Sequence, residues 1–220
     1  MNNIPVITID GPAGAGKGTL VNAVAHQLNW HRLDSGALYR LTALAALQQN
    51  IPLDDESALA KIAAKLPADF AQHDIYLNGA CVTQAIRQES CGNAASKVAA
   101  FPKVRQALLQ RQRDYRQPAG LVADGRDMGT VVFPDAIIKI FLTASAEKRA
   151  ERRFLQLQKN DPHVTLEGLV RDIKARDQRD QERAINPLVP ADNAIMIDSS
   201  DLTINEVTQQ VMEIVNAKLF

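Results

Sequence analysis

The sequence predicts an α/β protein: a parallel sheet of about five strands flanked by helices, with a small inserted subdomain. Two observations predict the sheet. Apolar, β-branched runs bounded by turn residues recur along the chain, and stretches of helical spacing separate them, which is the rhythm of βαβ units. A third observation predicts the insertion: between about 52 and 89 that rhythm is broken by Pro52, Asp54-Asp55, Pro67 and Asn78-Gly79. At 220 residues there is enough chain for one well-buried core with sequence to spare.

Ile4-Pro5-Val6-Ile7-Thr8-Ile9-Asp10 reads as a buried parallel strand, and 17–28 as the helix after it, with Leu20, Val24 and Leu28 at helical spacing and Asn29 as its stop. The junction is Gly11-Pro12-Ala13-Gly14-Ala15-Gly16-Lys17-Gly18-Thr19, a loop of the form GxxxxGK. Such a loop turns backbone N–H groups inward around the phosphates of a nucleotide, while the lysine and the helix N-terminus add positive charge. The hydroxyl does not follow the lysine directly, because Gly18 precedes Thr19. GKGT in place of GK[ST] is a clue to the branch of phosphate-loop proteins.

Residues 30–34 suggest a second strand. Asp34-Ser35-Gly36 would cap a helix carrying Leu38, Leu41, Leu44, Ala45 and Leu47, which Asn50-Ile51-Pro52 ends. Within the insertion, 75–82 reads as a hairpin on an Asn-Gly turn. A long helix from 93 to about 116, kinked at Phe101-Pro102, comes next. Further strands are expected at 120–124, 136–142 and 194–198. Arginine-rich helices are expected at 146–159 and 166–183, broken between them at Asn160-Asp161-Pro162, and an amphipathic helix closes the chain at 203–219.

Three clusters beyond the loop bear charge suited to chemistry. Ser35 and the helix start beside it would bind a second anion, with Arg40 as its clamp. Asp124-Gly125-Arg126-Asp127 stands where a central strand meets its loop, the edge at which α/β sheets gather ligands. Arg149, Arg152 and Arg153 share one helix, while Arg176, Asp180 and Arg183 recur at i, i+4, i+7 on the next. Arginine almost displaces lysine in that second helix, and arginine grips phosphate through paired hydrogen bonds.

The composition narrows the class. Formal net charge is zero, so no global field favours nucleic acid or an anionic membrane. No run of roughly 18 apolar residues is present, and the N-terminus lacks a basic-then-apolar leader, so a cytoplasmic protein is expected. Cys81 and Cys91 are too few for a disulfide framework or zinc site, and His26, His31, His73 and His163 show no metal-ligand spacing.

In this order the motifs ITIDGPAGAGKGT (7–19), LDSGALYR (33–40), NAASKVAAFPKVR (93–105), DGRDMGTVVFPDA (124–136) and RDQRDQER (176–183) resemble the bacterial cytidylate (CMP) kinase family, from Pro5 to the last helix. The resemblance implies a P-loop NTPase fold in one domain over 1–220. Its core would be about 1–51 and 90–220, its insertion about 52–89 and its lid about 152–165. It implies ATP-dependent phosphorylation of CMP and dCMP, with Mg2+ held by Thr19 directly or through water. Gly11 to Thr19 would hold ATP, with Lys17, Arg126 and Arg152 catalytic and Arg152 in the lid facing the donor phosphates. Ser35, Arg40 and Arg126 match positions that grip the acceptor phosphate. Ser96, Arg105, Asp127 and Arg183 match those that read cytosine, and Arg176 and Asp180 those near the acceptor sugar. A monomer without nucleic-acid or membrane partners is expected.

Rival readings differ in what they require. A kinase for UMP, AMP or dTMP would use the same loop. A small-alcohol kinase such as one for shikimate would need a base or a polarised hydroxyl, and more often carries GK[ST]. A nucleotide-dependent switch would bring a guanine-reading NKxD segment, which this chain lacks.

Overall fold

The structure is a computed structural model describing residues 4–71, 74–158 and 163–219. Its contacts divide the chain into two compact units, Met1–Leu33 with Tyr115–Phe220, and Asp34–Asp114.

The first unit is built on a five-stranded sheet. Its strands are β1 (Val6–Asp10), β2 (His31–Asp34), then β6 (Leu121–Gly125), β7 (Ile138–Thr143) and β8 (Ile195–Asp198), the intervening strands β3 to β5 lying in the second unit. The order is β2-β6-β1-β7-β8. The pairs β1–β6, β1–β7 and β7–β8 are parallel, which bears out the α/β reading. The central strand β1 is buried along its whole length, Thr8 and Asp10 included. Helix α1 (Lys17–Leu28) lays Leu20, Val21 and Val24 on one face of the sheet. Helix α8 (Ile204–Leu219) lays Val207, Val211 and Val215 on the same face, against Ile7, Ile9, Val122, Ile140 and Ile197. Thr203 and Glu206 form a reciprocal capping box at the start of α8, with Thr203 N–H donating to Glu206 at 2.7 Å and Glu206 N–H to Thr203 Oγ1 at 3.3 Å.

From β1 the chain goes to β2 at one edge of the sheet, returns to β6 between the two, and then crosses to β7 and β8 on the other side of β1. The direction therefore reverses around β1, and ligands of such sheets gather at the carboxyl ends beside that reversal. The glycine-rich loop leaves β1 there. Gly11 sits so close to β7 that a Cβ on it would lie 1.9 Å from the Leu142 carbonyl oxygen, with φ at +148°.

Helices α6 (Ala146–Leu157) and α7 (Leu166–Gln181) pack on each other in the same unit. Both are shorter than the sequence predicts. Helix α7 stops before Arg183, because Glu182 already leaves the helix and the chain turns into Asn186, whose φ is positive. The predicted break at Asn160-Asp161-Pro162, part of the expected lid at about 152–165, lies outside the described residues, as does His73.

The second unit holds α2 (Ser35–Gln48), α3 (Glu56–Ala64), α4 (Glu89–Val98) and α5 (Pro102–Arg113), with a small antiparallel sheet of β3 (Ala68–Ala71), β4 (Asp74–Leu77) and β5 (Ala80–Cys81). The predicted hairpin is β4–β5, turning on Asn78 and Gly79 with φ of 51° and 78°. Helix α3 and strand β3 were not legible in the broken pattern of 52–89. Asp55 caps α3 by accepting the Ala58 N–H at 2.9 Å, and Leu59 and Ala63 are its buried face. The single kinked helix expected over 93–116 is two helices. Phe101 is extended before Pro102, which opens α5 at its first turn, where proline's missing N–H costs nothing. Gly92 lies inside α4 and its N–H donates to Gln88 O at 3.0 Å, so the helix runs through it. Arg111 of α5 donates to the carbonyls of Leu66 and Ala68, tying α5 to the start of the small sheet.

Gly11→Ala should be among the most disruptive single-methyl changes in the chain, because the obstacle is a strand backbone. A loss above about 3 kcal/mol in urea denaturation is expected.

Candidate functional site

The phosphate loop is shaped by hydrogen bonds to its carbonyls. Arg149 donates to Ala13 O at 3.0 Å, Ser199 Oγ to Ala15 O at 3.2 Å, and Lys17 Nζ to Pro12 O at 2.9 Å. A peptide whose carbonyl is held outward leaves its N–H free to face inward, the orientation an anion requires. Gly16 closes the loop at φ 94° and passes directly into α1. Thr19 is exposed in the first turn of that helix.

Lys17 is 5% exposed and pairs with Asp124 Oδ1 at 3.7 Å. Burial, then the nearby Arg126 charge, push its pKa down to about 8, and Asp124 opposes them. The other Asp124 oxygen faces the start of α1, 3.6 Å from where a Cβ on Gly18 would stand. The glycine of GKGT thus leaves room beside that carboxylate.

A second charged centre follows β6. Arg126 Nε donates to Asp180 Oδ2 at 2.8 Å, and Arg183 returns to the same aspartate, with Nε on its carbonyl at 3.2 Å and a guanidinium nitrogen 3.7 Å from Oδ1. Asp180 is held below the usual carboxylate range: burial works against its charge, but Arg126 and Arg183 outweigh burial, and Arg176 adds to them. Arg126 is kept ionised by the same pairing despite its own burial. The helical spacing of Arg176, Asp180 and Arg183 anticipated this grouping, although Arg183 joins it from beyond the helix end. Asp127, 3% exposed, follows Arg126 directly.

Arg149 and Arg152 are engaged differently from a surface charge pattern. Arg149 binds Asp177 through both ends of its guanidinium and also holds Ala144 O, so it joins α6, α7 and the loop. Arg152 donates to the Ser199 carbonyl at 2.5 Å and also approaches Ser199 Oγ and Leu202 O at 3.4 Å. Ser199, which also donates to Ala15 O, links Arg152 to the phosphate loop. Arg153 lies on the surface with Gln156.

Within the second unit, Ser35 opens α2 and is buried, while Asp34 caps that helix through the Ala37 N–H at 3.0 Å. Arg40 donates to Ile86 O at 2.6 Å. Ser96 on α4 is buried. Arg105 on α5 donates to Ala99 O at 3.1 Å and lies 5.6 Å over the Tyr39 ring, a cation–π contact that the sequence pattern did not signal.

Sequence reasoning passed over Asp10, Tyr39, Asp177 and Ser199. The available signal for Asp10 was a carboxylate closing an otherwise apolar strand. For the others there was none, since their partners lie on distant elements.

The loop on β1, its buried lysine and the carboxylate on the neighbouring strand define a phosphate-loop nucleotide-binding protein. The match to the family model for cytidylate kinase spans residues 7–217. The chain is 56% identical to a cytidylate kinase of Aeromonas salmonicida over 94% of this chain and 92% of that one. It is 54% identical to one of Klebsiella pneumoniae over 99% and 97%, and 56% identical to one of Bordetella bronchiseptica over 95% and 94%. The chain belongs to the cytidylate kinase family. Among the described residues no helix is long and apolar enough to cross a membrane.

The charge on Lys17 should govern nucleotide affinity. Below about 8 the ammonium is charged, so affinity for a nucleoside triphosphate should fall as pH rises through that value, by up to roughly tenfold per unit. Calorimetric titration of the wild-type chain and Lys17→Ala checks this, since the variant should lack the dependence.

Proposed function

We propose that this chain transfers the γ-phosphoryl group of ATP to CMP or dCMP, giving ADP and CDP or dCDP. The observation that carries the reading is the Arg126–Asp180–Arg183 network at the end of β6, whose arginine charge is felt by Lys17 of the donor loop. Family membership supports the same assignment.

The acceptor oxygen belongs to a phosphate with a second pKa near ~6, so it is already anionic at neutral pH. No general base is required. The task is to bring two polyanions together in line and to neutralise charge as it redistributes. Gly11 to Thr19 cradle the donor phosphates through inward N–H groups, and Lys17 exchanges its Pro12 carbonyl for a phosphate oxygen. Arg126 is assigned to the acceptor phosphate, and the resemblance to the family assigns Ser35 and Arg40 to it as well. Ser96, Arg105, Asp127 and Arg183 read the cytosine edge, and Arg176 and Asp180 hold the sugar. Arg152 serves the donor phosphates once it leaves the Ser199 and Leu202 carbonyls. The protein works as a monomer.

Thr19 and Asp124 are oxygen donors suited to Mg2+, and Asp124 faces the start of α1 with space beside it at Gly18. Among the described residues no cluster of three or more His, Cys, Asp or Glu could hold a metal ion. When bound, magnesium neutralises charge on the transferring group.

A coupled ADP-release assay across CMP, dCMP, UMP, AMP, dTMP and shikimate tests the assignment. Turnover should require an acceptor and be greatest with the cytidine nucleotides; preference for AMP or dTMP would relocate it. Arg126→Ala should lose on the order of 10² or more in turnover while circular dichroism stays that of the wild type.

A further inference from the structure

Asp10 ends β1 and stands directly before the phosphate loop, yet both of its oxygens serve another segment. Oδ1 accepts the Met128 N–H and Oδ2 the Gly129 N–H, each at 2.8 Å. These are the first two N–H groups of the π-helical turn Met128–Val132, which has no side-chain cap of its own. Helical starts leave such donors unsatisfied, and burying them unpaired is costly. Asp10, 4% exposed, therefore caps the turn from a strand far away in sequence. The fit leaves little slack: a Cβ on Gly129 would come 2.9 Å from Thr8 Oγ1 of the same strand. The two residues before the turn are Arg126 and Asp127.

We infer that Asp10 is a positioning residue, clamping the start of the 128–132 turn to the end of β1 and so fixing Arg126 and Asp127 for the acceptor nucleotide. The inference rests on the acceptor assignment made above. The donor loop and the acceptor-facing segment thereby hang from one strand end, so that in-line geometry is set before either substrate arrives.

The clamp has a protonation state. Burial pushes the Asp10 pKa up to about 7, against the two N–H bonds that favour the ionised form. Asp127 just before the turn raises it and Lys17 from α1 lowers it, while Arg126 is itself stabilised by the Asp10 charge. Above about 7 the carboxylate accepts both bonds. Below it, one oxygen carries a proton and meets an N–H as a second donor, so the turn is held less firmly.

Asp10→Asn tests this. The amide is isosteric and removes a charge that burial disfavours, so the fold should survive. It presents one donor where the turn needs two acceptors. The KM for CMP should rise about tenfold or more, with the KM for ATP changed less than about twofold. Wild type and variant share the titration of the CMP phosphate, so the ratio of their kcat/KM for CMP removes it. That ratio should be larger at about pH 8 than at about pH 6, since only the wild type gains its clamp with rising pH. A folded variant with unchanged KM for CMP, equal rises in both KM values, or a ratio independent of pH would overturn the proposal. Gly129→Ala displaces the same turn from its other side. It should reproduce the selective rise in KM for CMP while keeping the wild-type pH dependence. Should Asp10→Asn not fold, an unchanged KM for CMP in Gly129→Ala overturns the clamp. A harmless Arg126→Ala would instead mean that the acceptor assignment had failed. A normal Asp10→Asn beside a crippled Arg126→Ala rejects the clamp alone.

Discussion

A protein that binds polyanions must bury positive charge near its core, and uncompensated buried charge is the most expensive thing a fold can contain. The first unit of this chain meets that constraint with aspartates at the carboxyl end of its sheet and on α7. Asp124 answers Lys17, Asp180 answers Arg126 and Arg183, and Asp177 answers Arg149 through two bonds. Each cation is thereby held in a defined rotamer. Removing a partner would leave the other buried and alone, which is why these pairs behave as networks.

The same pairing sets how the groups titrate. Lys17 is pushed down and Asp10 up, both toward neutrality, because burial penalises whichever form is charged. Asp180 moves the other way because several arginines share it. The loop needs no such compensation along its backbone. The Ala13 and Ala15 carbonyls are turned onto Arg149 and Ser199, which leaves the loop N–H dipoles to face a phosphate. Electrostatic preorganisation of this kind avoids reorganisation when the phosphates arrive.

Much of this was legible in the chain. An apolar run, a glycine-rich loop and a periodic helix are local signals, and they placed β1, the phosphate loop and α1 to within a residue or two. The spacing of Arg176, Asp180 and Arg183 foretold a shared cluster. Illegible were features whose cause is non-local. Helix α3 hides in a stretch dominated by breakers, and the split between α4 and α5 depends on an extended Phe101 that a kinked helix would also have satisfied. The π-helical turn at Met128–Val132 is capped by a carboxylate more than a hundred residues away in sequence.

Sequence by itself therefore determined the class of fold, the donor loop and the residue types that would meet phosphate, because each is written in short-range pattern and spacing. Tertiary structure alone decided the pairings: which aspartate holds which arginine, that Arg152 rests on Ser199 and Leu202, and that Asp10 belongs to the 128–132 turn. Strand order brings β6 and β7 to either side of β1, though more than a hundred residues separate β1 from either of them along the chain. Ion pairs and caps formed across that distance depend on where strands end in space, which no local pattern encodes.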